Sequence, residues 1–128
     1  MKVNRFEKEL FAINIENINE KSNKWNQEFG SFNDFFAGQI MQISRLDTQE
    51  YYSRLLAFTK DEDIREAYDS VAFLFSDFSD IEDDLELGFS HFSVDFPSYP
   101  IPEITTFFGG FRYGVISYDN NIGIGLDF

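Results

Sequence analysis

The chain has 128 residues, no cysteine, and a formal charge of −13 from 10 basic and 23 acidic side chains. That length suits one domain or part of one. The acidity argues against nucleic acid, whose binding rests on phosphate neutralisation, and against docking on anionic lipid through a basic patch; the missing thiols exclude disulfides, thiolate metal sites and cysteine nucleophiles.

The opening stretch "KVNRFEKELF" reads as a short strand followed by a turn, with Val3 to Phe6 positioned to join a sheet. Ile15, Ile18, Trp25 and Phe29 then recur at helical spacing, with Ser22 in the same stripe, Asn14 as N-terminal cap and Gly30 as the residue past the end. A second helix follows Ser31 or Asn33 and places Phe32, Phe35, Phe36, Ile40 and Ile43 on its apolar side. A third begins at "DTQE", where Asp47 and Glu50 have capping-box spacing, and its apolar face is Tyr51, Tyr52, Leu55 and Phe58.

"KDEDIREAYDSVAFLF" is the clearest helix. Asp61, Glu62 and Asp63 crowd its first turn, where the helix dipole favours anions, and Ile64, Ala67, Tyr68, Val71 and Phe75 follow at three- and four-residue steps. A further helix runs from Asp80 through Ile81, Leu85, Phe89 and Phe92. All three prolines, Pro97, Pro100 and Pro102, fall in "FPSYPIPE", which must be extended. Beyond it "EITTFF", "GGFRYGVISY" and "IGIGLDF" read as strands, and Asp119, Asn120 and Asn121 supply a turn between the last two. The fold class is therefore α+β within one domain, or the N-terminal part of a larger one. Four to five helices (1–95) precede a small, mostly antiparallel sheet of three to four strands (96–128). The expected core is Ile18, Trp25, Phe29, Phe35, Phe36, Ile40, Leu55, Tyr68, Val71, Phe75, Phe107, Ile116, Ile124 and Leu126.

No complete active site is legible. His91 is the single histidine and stands beside Phe89 and Phe92, which suits a structural or solvent-facing role. There is no HExxH motif. "SDFSDIEDDLE" lacks the central glycine and the ligand order of a calcium loop and reads instead as an acidic helix start. "FGGFRYG" has neither a P-loop lysine nor a following helix. No catalytic residue, metal ligand or cofactor is therefore expected. The 17 Phe, 6 Tyr and 1 Trp leave two readings open, a Phe-rich core or aromatic surface kept for a partner.

The final "NNIGIGLDF" is the most informative stretch. As a strand it puts Ile122, Ile124, Leu126 and Phe128 on one face and Gly123, Gly125 and Asp127 on the other. A glycine face suits close approach by a backbone, a helix or a ligand. Gly123, Gly125, Asp127 and Phe128 are therefore the candidate residues for a cleft rim or an interface. A structural Asp127, hydrogen-bonded to a loop, is the plainer alternative. An apolar edge strand here would also suit strand addition by a peptide or by a second copy of the chain.

"RFEKELF", "FNDFFAGQIMQIS", "DFPSYPIPEITTFFGGFRYG" and "NNIGIGLDF" occur in an order that resembles the gliding-motility lipoprotein family GldB. The resemblance implies an exported protein of the Bacteroidota cell envelope, lipid-tethered at an N-terminal cysteine and facing the periplasm. It also implies a zincin-like fold with a helical part before a mixed sheet, here truncated, since the family's chain continues past "GLD". Two functions follow: a non-catalytic accessory or binding protein, or the first half of a zinc-dependent peptidase whose metal helix lies beyond residue 128. The strand-addition module is a third. The partners implied are a protein or peptide of the envelope, the missing C-terminal half, or a second copy paired through an edge strand. No nucleic acid is expected, and membrane attachment is expected only through a lipid anchor absent from this chain. The segment "MKVNRFEKEL" has no apolar signal-peptide core and no run of about 18 apolar residues occurs, so the chain itself is expected to be soluble.

Overall fold

The computed structural model describes residues 2–43 and 48–128. Strand β1 (Asn4–Arg5) leads directly into helix α1 (Phe6–Leu10). Helices α2 (Ile18–Glu28) and α3 (Ser31–Phe35) follow, and α3 continues into a π-helical turn, Phe36–Ile40. Then come α4 (Gln49–Lys60), α5 (Glu62–Leu74), α6 (Ser79–Asp95), and strands β2 (Glu103–Phe107), β3 (Val115–Tyr118) and β4 (Asn121–Gly125). The α+β class is as expected, and Val3 to Phe6 does contribute a strand. The stretch expected to turn after that strand is instead the short helix α1, which adds one more to the helices anticipated.

Local chemistry explains most boundaries. Gly30 follows the C-cap of α2 with φ +56°, a left-handed conformation that glycine adopts at little cost. Asn14 Oδ1 accepts from the backbone N–H groups of Glu16 and Asn17, folding the turn that launches α2. Asp61 caps α5 by accepting from Ile64 N at 3.1 Å. At α4 the cap is Thr48, whose hydroxyl accepts from Tyr51 N at 3.2 Å; Asp47 of the anticipated capping box lies outside the described residues. The π-helical turn closes with Met41 N donating to Phe36 O at 2.9 Å, one residue wider than an α-helical bond.

The sheet order is β1-β2-β4-β3. β1 and β4 both pair parallel with β2, and only β3 and β4 pair antiparallel, as the hairpin expected at Asp119, which takes φ +47°. Two expectations are thereby corrected. The sheet is mixed rather than mostly antiparallel, because the helices α1 to α6 form a crossover between β1 and β2 and the β3–β4 hairpin folds its second strand back beside β2. And β4 is not an edge strand: both of its sides are hydrogen-bonded, and the edges of the sheet are β1 and β3.

Each face of the sheet has its own cover. The core face carries Thr105, Phe107, Gly123, Gly125, Ile116 and Tyr118, and it packs on the main aromatic core. Phe6 is the hub of that core: its ring meets Trp25, Phe29 and Phe32 edge-on at centroid distances of 5.2, 5.1 and 5.2 Å. Such pairs add about 0.5–1.5 kcal/mol each beyond burial. Ile18, Trp25, Phe29, Phe36, Ile40, Leu55, Val71 and Phe107 of the expected core are buried here, with Phe35, Tyr68, Phe75 and Ile116 half-buried against them. The opposite face carries Val3, Ile104, Ile122 and Ile124 and meets α6.

Candidate functional site

The glycines of β4 look inward. A β-carbon added at Gly123 would lie 2.7 Å from Ile116 Cγ1 and 3.2 Å from the Phe107 ring, and one added at Gly125 would run into the Tyr113 carbonyl. The Phe107 ring also lies 3.0 Å from the corresponding point at Gly109. One fully buried ring is thus seated among three glycines, Gly109, Gly123 and Gly125, and the space that their side chains would need is filled by the protein itself.

Asp127 holds a loop. Its Oδ1 accepts from Gly109 N at 3.0 Å and its Oδ2 from Phe111 N at 2.6 Å. Gly110 and Phe111 both have φ +67°, and the backbone N–H groups on either side of Gly110, those of Gly109 and Phe111, converge on one carboxylate. The two charge-assisted bonds help offset the strain of a left-handed phenylalanine. Phe128 projects outward, 78 % exposed, with the edge of its ring against Gly114. Of the four candidates, two therefore face the core, one latches the loop and one is at the surface; the structure does not gather them into one concavity.

A polar cluster that sequence periodicity did not reveal lies at the β1 end of the opposite face. Arg5 Nε donates to Glu7 Oε1 at 2.7 Å and to Thr106 Oγ1 at 3.1 Å, and Arg5 Nη2 donates to the Phe75 carbonyl at 3.0 Å. Thr106 Oγ1 donates to Glu7 Oε2 at 2.6 Å, and the guanidinium stands 4.4 Å from the Phe78 ring centre. Glu7 is 1 % exposed. The cluster ties β1, α1, β2 and the α5–α6 junction together; a buried pair of this kind is costly to break, because the survivor is left as an uncompensated charge. Its sequence signal was present in "RFEKELF", where Arg5 and Glu7 flank the hub Phe6, but nothing in the spacing marks Glu7 as buried.

Two tyrosines have perturbed phenols. Burial, reinforced by Asp119 and Glu103 and slightly eased by nearby Ser31, pushes Tyr118 up to about 12. Ser31 is a neighbour rather than a proper hydrogen-bond partner, since the Tyr118 hydroxyl makes no bond of acceptable geometry. Tyr68, stacked on Phe11 with ring centres 3.9 Å apart, is raised chiefly by burial and then by Glu7, against the lowering pull of Arg65 and Arg5. Both lie in the packed core rather than in an open cleft. His91 is exposed on α6, and among the described residues no group of three or more His, Asp or Glu side chains gathers as metal ligands would.

One apolar region left open is the face covered by α6. That helix has 17 residues and none is buried. Ile81, Leu85 and Phe89 pack on Val3, Phe78 and Ile104, but they and the sheet residues Ile122, Ile124 and Leu126 stay half-buried. Val115, which pairs with Ile124 and shares its face, is 73 % exposed. Past Phe89 the rings of Phe92, Phe96 and Tyr99 contact one another at the surface. Asp84, Leu85, Gly88, Phe89 and Phe92 line a shallow groove of about 350 Å³.

A family model described as gliding motility protein GldB matches residues 1–128. No curated protein and no solved structure matches the chain. Among the described residues, no helix is long and apolar enough to cross a membrane.

Proposed function

The chain belongs to the gliding motility protein GldB family, and from that premise we propose that it acts without catalysis, as a binding component of the lipid-tethered, periplasm-facing cell-envelope proteins of that family. The observation that carries the reading is the family match along the whole chain. The half-covered sheet face under α6 supports a binding role, because apolar surface left open on a small acidic domain is what an interaction partner uses.

Two measurements test it. Fractionated cells carrying an epitope-tagged copy at the natural locus should hold the protein in the envelope fraction; recovery in the cytosol overturns the envelope assignment. Purified protein, incubated with a mixed peptide substrate with and without zinc, should show no turnover above buffer. Zinc-dependent hydrolysis would overturn the non-catalytic role and favour the peptidase reading.

The free edge of β3 favours a second reading, strand addition, relocated from β4. Its flank is short and exposed at Val115 and Ser117. An added peptide strand would shift the amide resonances of Val115 to Tyr118 and leave those of β4 largely in place.

A further inference from the structure

Helix α6 carries two neighbouring stripes. Ile81, Leu85, Phe89 and Phe92 form the half-buried apolar one. Beside it run Asp80, Asp84, Gly88 and Asp95, all exposed and spaced by whole turns of the same helix. Gly88 leaves a gap in the second stripe: apart from its own chain neighbours and the adjoining helix backbone, no atom lies within 4 Å of the point where its β-carbon would be. The groove opens at that gap, with Asp84 on its rim and Leu85, Phe89 and Phe92 on its floor. Between Arg65 and Arg112 the sequence contains no lysine or arginine, so along α6 and its flanking segments the one basic side chain is His91, exposed on this stripe between Gly88 and Asp95.

We propose that this groove seats a cationic amphipathic segment of a partner protein, with the partner's apolar side chains on Leu85, Phe89 and Phe92 and its Lys or Arg side chains against Asp80, Asp84 and Asp95. The inference rests on the binding role above and names the partner's chemistry. Charge decides among occupants. A second copy of the chain would bring acid against acid within a protein of net charge −13. An anionic bilayer is repelled for the same reason. A basic amphipathic segment meets both stripes at once: its apolar face desolvates the aromatic floor, and its charges match the rim.

The test uses a synthetic 18-residue helical peptide of Leu and Lys with a 3.6-residue apolar period, and a matched peptide with Glu in place of Lys. Titrated into the purified chain, the Lys peptide should shift the amide resonances of residues 80 to 96 and weaken about tenfold or more as salt rises from dilute buffer to about 0.5 M. Gly88→Leu should fill the groove and weaken binding at least about tenfold while keeping the fold, since that substitution meets open space and improves helix propensity. Asp80→Asn with Asp84→Asn should flatten the salt dependence. Equal affinity for Gly88→Leu, binding of the Glu peptide, shifts centred elsewhere, or self-association through α6 that the Lys peptide cannot compete would each overturn the proposal. Failure here leaves the envelope fractionation untouched, and a cytosolic location leaves the peptide titration untouched, so the two readings fall separately.

Discussion

The two faces of one four-stranded sheet are finished to different standards. On the core face, Phe107 is completely buried among glycines and joined to rings from α1, α2 and α3 through Phe6 and Phe32. On the opposite face a 17-residue helix lies over the strands without fully burying one of its own residues. Lack of apolar side chains does not explain the contrast, because the looser face carries Val3, Ile104, Ile122 and Ile124. The difference is the number of elements that converge: five helices supply the core face and one supplies the other. One helix covers two or three strands, and this sheet has four.

Phe107→Ala should break the core face most severely. Removing a fully buried ring costs about 3–5 kcal/mol, read as a lowered denaturant midpoint; a loss under about 1 kcal/mol would show that the three-glycine seat collapses around the gap. Glu7→Ala tests whether the opposite face is weak throughout or only where α6 covers it. The expected loss is again about 3–5 kcal/mol, because Arg5 would keep a buried charge without its partner. A neutral result would place the Arg5 cluster on the loose side of the comparison. Gly125→Ala should cost about 1–3 kcal/mol or more, since the obstacle is the Tyr113 backbone and not a side chain that can rotate. Leu85→Ala on α6 should cost only about 1 kcal/mol, the Leu side chain being half-exposed already.

The smallest effect is a pH effect. The Tyr118 phenol is held up at about 12 in the fold, against 10.0 when free. A raised folded value means that its contribution is complete below pH 10 and is lost as pH climbs toward 12, because the unfolded chain releases that proton first. Tyr118→Phe should therefore leave stability at pH 7 unchanged or slightly higher, as it also removes a buried hydroxyl without a hydrogen-bond partner. It should flatten part of the alkaline decline. A mutant that loses stability at pH 7 would reveal a real bond from that hydroxyl.

The helices were legible because their evidence is local. Asp61, the i, i+4 run from Ile64 to Val71, and Gly30 each state a boundary or a face within a few residues. Strand order was not legible, because the alternation of Gly and Ile in β4 is the same whether the strand is central or at the edge; only its pairing with β2 distinguishes them. For the same reason the glycines pointed correctly to close approach but not to what approaches. Asp127 and Glu7 are acids among 23, and their roles depend on partners 16 to 18 and 99 residues away. Phe6, Leu10 and Phe108 are as buried as any residue, yet they sit at junctions between elements, where no periodicity accumulates.

β1 is two residues long and pairs with β2 across a separation of about a hundred positions, Asn4 with Thr105 and Arg5 with Thr106. Closing so long a loop for so few hydrogen bonds is entropically unfavourable until other contacts have formed. A chain emerging from the ribosome therefore holds Phe6, Phe32 and Phe36 without their lid until Phe107 arrives, and every helix is complete before the sheet can start. Folding should be limited by that late meeting of the two ends, and hydrogen exchange should find the amides of Asn4 and Arg5 opening together with those of Thr105 and Thr106, as one unit.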